Sequence, residues 1–364
     1  MRVLFCGGGT AGHVNPAIAI AQTIMRNSSD SKVAYVATMN GIENSLVDFK
    51  KYHIDIRGMK RRISIENVKT LFLLMDAIKK SKQIIKEFHP DIIVGTGGYA
   101  TYPVIYAGHK LGVKTVIHES NALPGKATKM LQKKVDKIFT NFKQSERFFK
   151  DKNKIINTGN PLRYGFETYD KQKTKLKLNV NEKYVVVCYG GSLGARRINE
   201  SAIDIIDNFI RYSPNVRFIW SSGKRDYYDM KKILVEKRFD KLSNVELHDY
   251  IYNMPEIMAM ADIVISRAGA MSISELAASG KCAILIPSPN VADNHQYENA
   301  RVLEENGAAM LITEDRIYTI TDVVRDLVSD DAMRLSMEKE ISKFHKASAN
   351  KIIYQEINNL ISRR

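Results

Sequence analysis

The chain has 364 residues, of which 44% are hydrophobic and 26% are charged, a balance that excludes a disordered protein and favours a globular protein of two domains. With 55 Lys and Arg against 40 Asp and Glu, its formal net charge of +15 favours phosphate-rich ligands, anionic lipid or nucleic acid. Nucleic acid is not expected, because the sequence has no zinc-finger spacing, no RNP-type aromatic pattern and no dense arginine arm. No apolar run approaches the roughly 20 residues that a membrane-spanning helix needs.

Short β-branched runs alternate with longer helical segments along the whole chain. They lie at 3–6, 33–37, 92–94 and 115–118, and again at 185–189, 218–221, 263–265 and 284–286. This alternation predicts an α/β protein with two Rossmann-like, doubly wound parallel-sheet domains facing a central cleft. Cys6, Cys188 and Cys282 lie far apart within such runs, so we expect reduced core residues of a cytosolic protein.

Three glycine loops follow predicted strands. They read G-G-G-T-A-G-H at 7–13, G-T-G-G-Y at 95–99 and G-G-S-L-G-A-R at 190–196. Glycine lets the backbone approach phosphate oxygens without a Cβ in the way, and a following helix N-terminus favours an anion. None of the loops is a Walker A motif, and none matches the dinucleotide fingerprint in full register.

Two polar positions in the first half are candidates for chemistry. His13 ends the first glycine loop, just before Pro16 is expected to start a helix, so its ring is placed to project into the cleft. From the residues alone, catalysis or substrate contact and a helix-capping role are equal alternatives. The cluster His118-Glu119-Ser120-Asn121 follows the strand at 115–118, and its alternative is a simple strand end with an Asn turn.

The span 64–88 predicts an amphipathic helix with an unusually wide apolar face. Between 61 and 90 there are seven basic and three acidic residues, and Leu73 and Leu74 widen an apolar stripe made by Val68, Leu71, Phe72, Met75 and Ile78. Basic charge beside apolar groups favours contact with an anionic membrane surface. The alternative is a core helix with a solvated lysine face, and the hydrophobic periodicity does not distinguish it from a membrane-contacting helix.

The domain organisation follows from composition and spacing. A break near Gly159-Asn160-Pro161 predicts a first domain at 1–160 and a second at 161–344. The polar, lysine-rich stretch 168–181 has no strong periodicity and is expected to be a surface connection just after the second domain begins. The end of the chain, from 331, is helical by its apolar spacing, and a helix at about 345–364 is expected to pack back on the first domain.

The stretch from Ser266 to Gln296 is rich in groups suited to a nucleotide sugar. The strand at 263–265 leads through Gly269 into a helical segment expected at 272–278, whose start would be capped by Ser272 and Glu275 as a capping box. Glu275 is also placed to accept hydrogen bonds from ribose hydroxyls, and Asp293 and Gln296 follow the next strand. No Asp-x-Asp pair occurs in the sequence. Helix termini, hydroxyls and a cation would then have to neutralise the negative charge of the leaving diphosphate, without a metal.

Taken together, six motifs resemble the MurG family of bacterial N-acetylglucosaminyltransferases, in glycosyltransferase family 28. They are G-G-G-T-A-G-H-V-N-P at 7–16, G-T-G-G-Y at 95–99, H-E-S-N at 118–121, G-N-P-L-R at 159–163, G-G-S-L-G-A-R at 190–196, and S-R-A-G-A with S-E and D-N-H-Q between 266 and 296. The resemblance spans the whole chain in motif order and implies a GT-B fold.

The resemblance implies an inverting transfer of GlcNAc from UDP-GlcNAc that uses no metal and no cofactor. The acceptor would be the 4-hydroxyl of MurNAc in undecaprenyl-diphospho-MurNAc-pentapeptide (lipid I), and the product would be lipid II for peptidoglycan synthesis. It also implies a peripheral protein at the cytoplasmic face of the bacterial cell membrane, with UDP-GlcNAc, lipid I and an anionic membrane surface as partners.

Carried onto this sequence, the resemblance places donor contacts at Thr10, Ala11, Gly12, Asn121, Arg163, Ser192, Ile251, Ala270, Met271, Ser272, Glu275 and Gln296. Ile251 would abut the uracil, Glu275 the ribose and Ser192 the diphosphate, whereas Asn121 and Gln296 would contact sugar hydroxyls. The acceptor diphosphate would lie on glycine loops of the first domain, at Gly9, Gly97, Gly98 and Tyr99. His13 is expected to deprotonate the acceptor hydroxyl, with Glu119 supporting the site.

Three positions depart from the family pattern. Ala11 stands where a further glycine is common, Ser120 replaces a frequent glutamine, and His295 stands where another glutamine often precedes Gln296. The last departure affects the expected sugar contacts of Gln296 and not the reaction.

Other functions fit the same fold. A glycolipid-forming transferase would use diacylglycerol, which has no phosphate for the glycine loops at Gly7 and Gly97 to bind. A UDP-GlcNAc 2-epimerase would need no lipid, and a non-catalytic basic protein would only bind nucleotide or anionic lipid.

Overall fold

The computed structural model describes residues 1–57, 65–191, 193–291 and 294–362, and of residues 65–69 only the backbone. The chain divides into two compact units. Unit 1 comprises Met1–Arg163 and Lys346–Arg364, and unit 2 comprises Tyr164–His345.

Unit 1 contains, among its described residues, a parallel sheet of seven strands in the order β3-β2-β1-β4-β5-β6-β7. The strands are β1 Arg2–Cys6, β2 Lys32–Thr38, β3 Lys51–Ile54, β4 Ile92–Gly95, β5 Lys114–Glu119, β6 Lys137–Thr140 and β7 Ile155–Asn157. In the ladder, β1 lies between β2 and β4, because Val3 pairs with both Val33 and Ile92.

Helices cover both faces of this sheet. They are α1 Ala11–Asn27, α2 Glu43–Leu46, α3 Ile65–Phe88, α4 Thr101–Lys110, α5 Lys126–Leu131 and α14 Ala349–Ser362. Val3 and Phe5 of β1 pack with residues of α1 and α14, whereas Leu4 and Cys6 pack with residues of α3 and α4. Side chains alternate between the faces of a strand, so a strand covered on both faces is apolar at every position.

Unit 2 contains, in the part of the chain described, a parallel sheet of six strands in the order β10-β9-β8-β11-β12-β13. The strands are β8 Tyr184–Tyr189, β9 Val216–Ser221, β10 Val245–His248, β11 Ile263–Ser266, β12 Cys282–Leu285 and β13 Met310–Leu311. The helices are α6 Lys171–Lys177, α7 Arg196–Asn208, α8 Tyr227–Glu236, α9 Met254–Met260, α10 Ala270–Ser279, α11 His295–Glu305, α12 Ile320–Ser329 and α13 Asp331–Ser342. Trp220 of β9 is fully buried and donates from Nε1 to Asn199 Oδ1 at 3.2 Å.

The predicted α/β class with two parallel-sheet units is confirmed. All eight predicted strands are present, and each lies among the inner strands of its sheet. Five strands were not predicted, and all lie at or next to a sheet edge: β3, β6, β7, β10 and β13. Strands near an edge are less completely covered and carry more polar residues, so they lack a continuous apolar run. The three cysteines, all within described strands, are free and buried as expected.

The stretch 168–181, expected as a surface connection, contains a short helix. It contains α6, whose start is capped by Asp170 accepting from the Lys173 backbone N–H at 2.8 Å. Lys171 pairs with Asp262, and Lys177 pairs with Glu256 at 2.5 Å. The lysines that suggested a solvated connection therefore tie this helix to unit 2.

The segment after 331 forms two helices, α13 and α14. α13 belongs to unit 2, and α14 packs on unit 1 through Ile353 and Ile357, which contact the core beneath α1.

The face of helix α3 that packs on the core is not the apolar stripe seen in the sequence. Its buried face is formed by Ala77, Ser81, Ile84, Ile85 and Phe88, whereas Leu71, Phe72 and Met75 are exposed. Val68 belongs to the residues whose side chains are not described, and Ser64 lies outside the described residues. Within the described ranges, no helix is both long enough and apolar enough to cross a bilayer.

Candidate active site

The first glycine loop joins β1 to α1. The helix begins at Ala11 after the extended N-cap residue Thr10, so the expectation that Pro16 starts it is wrong, and Pro16 lies inside the helix. His13 is therefore in the first turn of α1. Ala11 and Gly12 are the first two residues of the helix.

The side chain and backbone of His13 are held from two sides. Nδ1 lies 3.0 Å from the Gly8 carbonyl oxygen and 3.4 Å from Thr10 Oγ1. Because a carbonyl oxygen only accepts, Nδ1 carries the proton and Nε2 keeps the lone pair. Thr96 Oγ1 donates to the His13 carbonyl at 2.6 Å.

The electrostatic surroundings favour the neutral form of His13. Burial lowers the pKa of His13, and this effect exceeds the opposing effects of the Glu119 charge and the hydrogen bond to Gly8. A neutral imidazole with its lone pair on Nε2 can take a proton at neutral pH.

The loop at 95–99 packs directly against the first glycine loop. Gly8 N–H donates to the Gly97 carbonyl at 3.3 Å. A Cβ on Gly98, which has φ +79°, would lie 2.1 Å from the Gly8 carbonyl oxygen. A Cβ on Gly97, which has φ +104°, would lie 2.6 Å from His13 Cδ2. Both positions thus need glycine for conformation and for space.

Tyr99 completes this group. A Cβ on Gly9 would lie 3.2 Å from Cε1 of Tyr99, so the tyrosine ring covers the first glycine loop. The structure thereby brings together Gly9, Gly97, Gly98, Tyr99 and His13. All were selected from the sequence.

Glu43 lies beneath the same loop and was missed by the sequence analysis. It is fully buried in α2, and its Oε1 accepts from Thr38 N–H at 2.8 Å and Thr38 Oγ1 at 2.6 Å. A Cβ on Gly8 would lie 3.1 Å from this oxygen. The Gly8 carbonyl holds His13, so the buried carboxylate supports the loop that orients the imidazole. The four-residue helix that carries Glu43 has no apolar period to mark it in the sequence.

Glu119 organises the loop that follows β5. Its Oε1 accepts from the backbone N–H and the side-chain amide of Asn121, at 3.1 and 3.2 Å. Its Oε2 accepts from Gly125 N–H at 3.0 Å and Thr128 Oγ1 at 2.8 Å. Glu119 therefore acts on His13 through its charge, while its hydrogen bonds fix the position of Asn121.

His118 faces the end of the first domain. Its Nε2 lies 3.2 Å from the Gly159 carbonyl oxygen, and burial lowers the pKa of His118 to about 4. A neutral His118 thus holds the segment that leads to Arg163, the last residue of unit 1 before the chain enters unit 2.

In unit 2, the loop after β11 leads into α10. The helix begins at Ala270 after the N-cap residue Gly269, so the predicted capping box of Ser272 and Glu275 is wrong. Ala270, Met271 and Glu275 are buried near the helix start. The first N–H groups of a helix have no intrahelical partner and attract anions, and α10 directs them to its N-terminal side.

Tyr189 is a further polar residue at this end of the sheet. It ends β8 directly opposite Ser266 of β11 and is buried. Burial and the Glu275 charge raise the pKa of Tyr189, against the opposing effect of the Ser272 and Ser266 hydroxyls. From the sequence, Tyr189 is only a strand residue, because nothing local shows that its hydroxyl lies beside Ser272 and Glu275.

The remaining candidates of unit 2 differ in how firmly they are held. Gln296 Oε1 accepts from Ser288 N–H at 2.9 Å, so this side chain fixes the loop after β12. Ile251 is buried after β10. Ser192 and Asp293 lie outside the described residues.

Arg267, inside the S-R-A-G-A motif, secures the loop before α10. It donates to Glu314 Oε1 at 2.5 Å and to the Ile286 carbonyl at 3.1 Å. Asn299 Nδ2 donates to the Ala268 carbonyl at 3.2 Å. The start of α10 is thus positioned by contacts with three other segments, through the Glu314 and Asn299 side chains and the Ile286 carbonyl.

Comparison with known proteins matches both units. The model of the glycosyltransferase family 28 N-terminal domain matches residues 3–140, and that of the C-terminal domain matches residues 185–353. A relative from Alkaliphilus metalliredigens is 38% identical, over 99% of this chain and 100% of the relative. It is named UDP-N-acetylglucosamine–N-acetylmuramyl-(pentapeptide) pyrophosphoryl-undecaprenol N-acetylglucosamine transferase.

Solved structures agree with the fold. The crystal structure of Acinetobacter baumannii MurG has a TM-score of 0.68 at 23% identity and covers 98% of this chain and 99% of that chain. A putative UDP-N-acetylglucosamine 2-epimerase from Listeria monocytogenes also has a TM-score of 0.68, at 12% identity, and covers 100% of this chain and 97% of that chain. These likenesses show the fold alone, whereas the full-length sequence match selects the family. The chain belongs to the MurG family, within glycosyltransferase family 28.

Proposed function

We propose that this chain transfers N-acetylglucosamine from UDP-N-acetylglucosamine to the 4-hydroxyl of the MurNAc residue in undecaprenyl-diphospho-MurNAc-pentapeptide. The product is the corresponding disaccharide on the lipid carrier, a precursor of peptidoglycan. The observation that carries the proposal is the match along 99% of the chain to a relative named for this transfer.

His13 is the proposed general base. Its Nε2 takes the proton of the acceptor hydroxyl, and the hydroxyl oxygen attacks the anomeric carbon of the donor sugar. The bond from that carbon to the diphosphate oxygen breaks, UDP leaves with the electron pair, and the anomeric configuration inverts. The Nδ1 contact to Gly8 and the lowered pKa of His13 support this role, since both favour a lone pair on Nε2.

The donor is proposed to lie at the N-terminus of α10. Its helix N–H groups and the Arg163 guanidinium would stabilise the negative charge that develops on the diphosphate, together with Ser192. Glu275 would accept from the ribose hydroxyls, and Ile251 would contact the uracil. Asn121 and Gln296 are proposed for the sugar, with Thr10, Ala11 and Gly12 at the start of α1 and Met271 and Ser272 in α10.

The acceptor diphosphate is proposed to lie on the two glycine loops of unit 1. Gly9 and Gly98 present partly exposed backbone without side chains beside the buried Gly8 and Gly97, and Tyr99 borders it. A diphosphate bound there would bring the lipid-linked sugar to His13.

We further propose that α3 rests on an anionic membrane surface, where the lipid substrate resides. Leu71, Phe72 and Met75 are 55%, 69% and 63% exposed, and the exposed lysines Lys79 and Lys80 follow on the same helix. Exposed apolar side chains beside basic ones are the composition of an interfacial helix.

The test is incubation of the purified protein with radiolabelled UDP-GlcNAc and a lipid I analogue in the presence of EDTA. We expect label in the lipid product. UDP-glucose and diacylglycerol serve as alternative donor and acceptor. Label that enters only diacylglycerol, or turnover of UDP-GlcNAc without any lipid, would contradict the proposal and favour the glycolipid transferase or the epimerase. Loss of all activity in EDTA would contradict its metal-free part.

A further inference from the structure

The two segments that connect the units lie against each other on unit 1. Gly159, in the outgoing segment, has φ +89°, and a Cβ there would lie 2.9 Å from Lys346 Cβ in the returning segment. Lys346 Nζ donates to the Asn141 carbonyl at 2.9 Å and to Asn157 Oδ1 at 2.6 Å. The returning segment therefore packs on the outgoing one where both meet the sheet of unit 1.

Asn350, at the start of α14, pairs with the backbone of Leu162. Its Oδ1 accepts from the Leu162 N–H at 2.9 Å, and its Nδ2 donates to the Leu162 carbonyl at 2.8 Å. Nδ2 also donates to Thr23 Oγ1 of α1 at 3.1 Å. One side-chain amide thus bonds both main-chain groups of Leu162, as the backbone of a neighbouring strand would, and links them to α1.

Leu162 immediately precedes Arg163. Both peptide groups that flank the Leu162 Cα contribute an atom to the pairing, so the direction in which the chain reaches Arg163 is set by Asn350. An arginine side chain loses much conformational freedom when it binds a ligand, and a fixed backbone origin lowers that cost.

We infer that Asn350 is a positioning residue for donor binding, which acts by holding Leu162 so that Arg163 is directed at the donor diphosphate. This rests on the proposed function, in which Arg163 contacts the diphosphate of UDP-GlcNAc. The C-terminal helix then serves the donor site as well as the core of unit 1. An ionised carboxylate only accepts and a methyl group does neither, so neither aspartate nor alanine can both accept from the N–H and donate to the carbonyl.

The test measures the Kd of UDP by calorimetry and the KM of UDP-GlcNAc for Asn350→Ala, Asn350→Asp, Arg163→Ala and the double variant Asn350→Ala/Arg163→Ala. Asn359→Ala, an exposed asparagine on the same helix, is the matched control. We expect both Asn350 variants to raise the Kd of UDP and the donor KM about fivefold, with an unchanged acceptor KM, because aspartate loses one hydrogen bond to Leu162 and alanine loses two. Asn359→Ala should match the wild type.

The double variant separates positioning from simple stability. If Asn350 acts through Arg163, the double variant binds UDP as weakly as Arg163→Ala and no weaker. A full additional loss in the double variant, or an unchanged Kd in Asn350→Asp, would overturn the inference. Should Asn350→Ala fail to fold, Asn350→Asp and Arg163→Ala/Asn350→Asp decide, because aspartate has the same shape and still accepts from Leu162.

The same measurements distinguish this inference from the proposed function. An unchanged Kd in Arg163→Ala overturns the route through Arg163, while GlcNAc transfer by the wild type continues. Absence of transfer by the wild type contradicts the proposed function itself.

Discussion

The imidazole of His13 has a defined tautomer, a fixed backbone and a lowered pKa. We expect His13→Gln to lower kcat by about 10²–10⁴-fold, the usual contribution of a general base, with little change in UDP binding.

The pH profile of kcat/KM should show an acid limb below the ordinary histidine value of about 6.5, because protonation of Nε2 abolishes activity and burial lowers the pKa at which it occurs.

The charge of Glu119 also affects the pKa of His13. Its negative charge raises the pKa of His13, so Glu119→Gln should move the acid limb to lower pH. His109→Gln, an exposed histidine at the end of α4, is the control and should leave the profile unchanged. An acid limb that moves to higher pH in Glu119→Gln would show that the group titrating in the profile is not His13.

Gly97 tests whether the position of the imidazole matters. A Cβ at Gly97 would lie 2.6 Å from His13 Cδ2, so Gly97→Ala must displace the ring, and kcat should fall at least about tenfold. Gly112 also has a positive φ, but nothing lies within 4 Å of an added Cβ. Gly112→Ala therefore reports the backbone cost alone, about 1 kcal/mol of unfolding free energy, with full activity. Equal kcat values for the two variants in steady-state assays would contradict the proposed base.

At the scale of elements, α3 has a buried face and an exposed apolar face. The triple variant Leu71→Ser/Phe72→Ser/Met75→Ser should reduce binding to anionic vesicles at least about tenfold in a sedimentation assay, since each side chain contributes on the order of 1–2 kcal/mol when it leaves water. Its thermal unfolding should match the wild type, because these side chains already contact solvent.

The control for α3 is a set of equally exposed apolar side chains on unit 2. Leu176, Val235 and Leu335 are exposed, and their triple substitution by serine should leave vesicle binding unchanged. A similar loss in both variants would indicate a general change in surface hydrophobicity instead of a binding face on α3.

At the scale of the whole molecule, the net charge of +15 predicts salt-sensitive association with anionic surfaces. Binding to vesicles that contain phosphatidylglycerol should weaken steadily as the salt concentration rises from about 0.05 to 0.5 M, because the Debye length then shortens severalfold. Vesicles of phosphatidylcholine should bind weakly at every salt concentration. Equal binding to the two kinds of vesicle would mean that charge does not drive the association.

Much of the fold could be predicted from local patterns. Most inner strands carry an apolar run because helices cover both faces, and that run is visible without coordinates. The outer strands β3, β7, β10 and β13 were missed because a partly covered strand needs no such run. The starts of α1 and α10 were misplaced by a few residues, since Pro16 and Ser272 resemble helix-start residues but lie inside their helices.

The candidate site was only partly predictable. Glycine loops and motif residues identified Gly9, Gly97, Gly98 and His13, because the need for glycine and imidazole is a property of the residue itself. Glu43 was missed, because its carboxylate gains its role only by lying beneath Gly8.

By itself, the sequence determined the α/β class, the inner strands, the glycine loops and the family, since each depends on the order of residues along the chain. Only the tertiary structure decided the tautomer of His13 and the hydrogen bonds that both oxygens of the Glu119 carboxylate accept. It also decided which face α3 buries and the pairing of Asn350 with Leu162. These depend on groups that meet across the fold, and in the last case the partners are 188 residues apart. No local pattern encodes which distant atoms a buried polar group will meet, because that is settled by the packing of the whole unit.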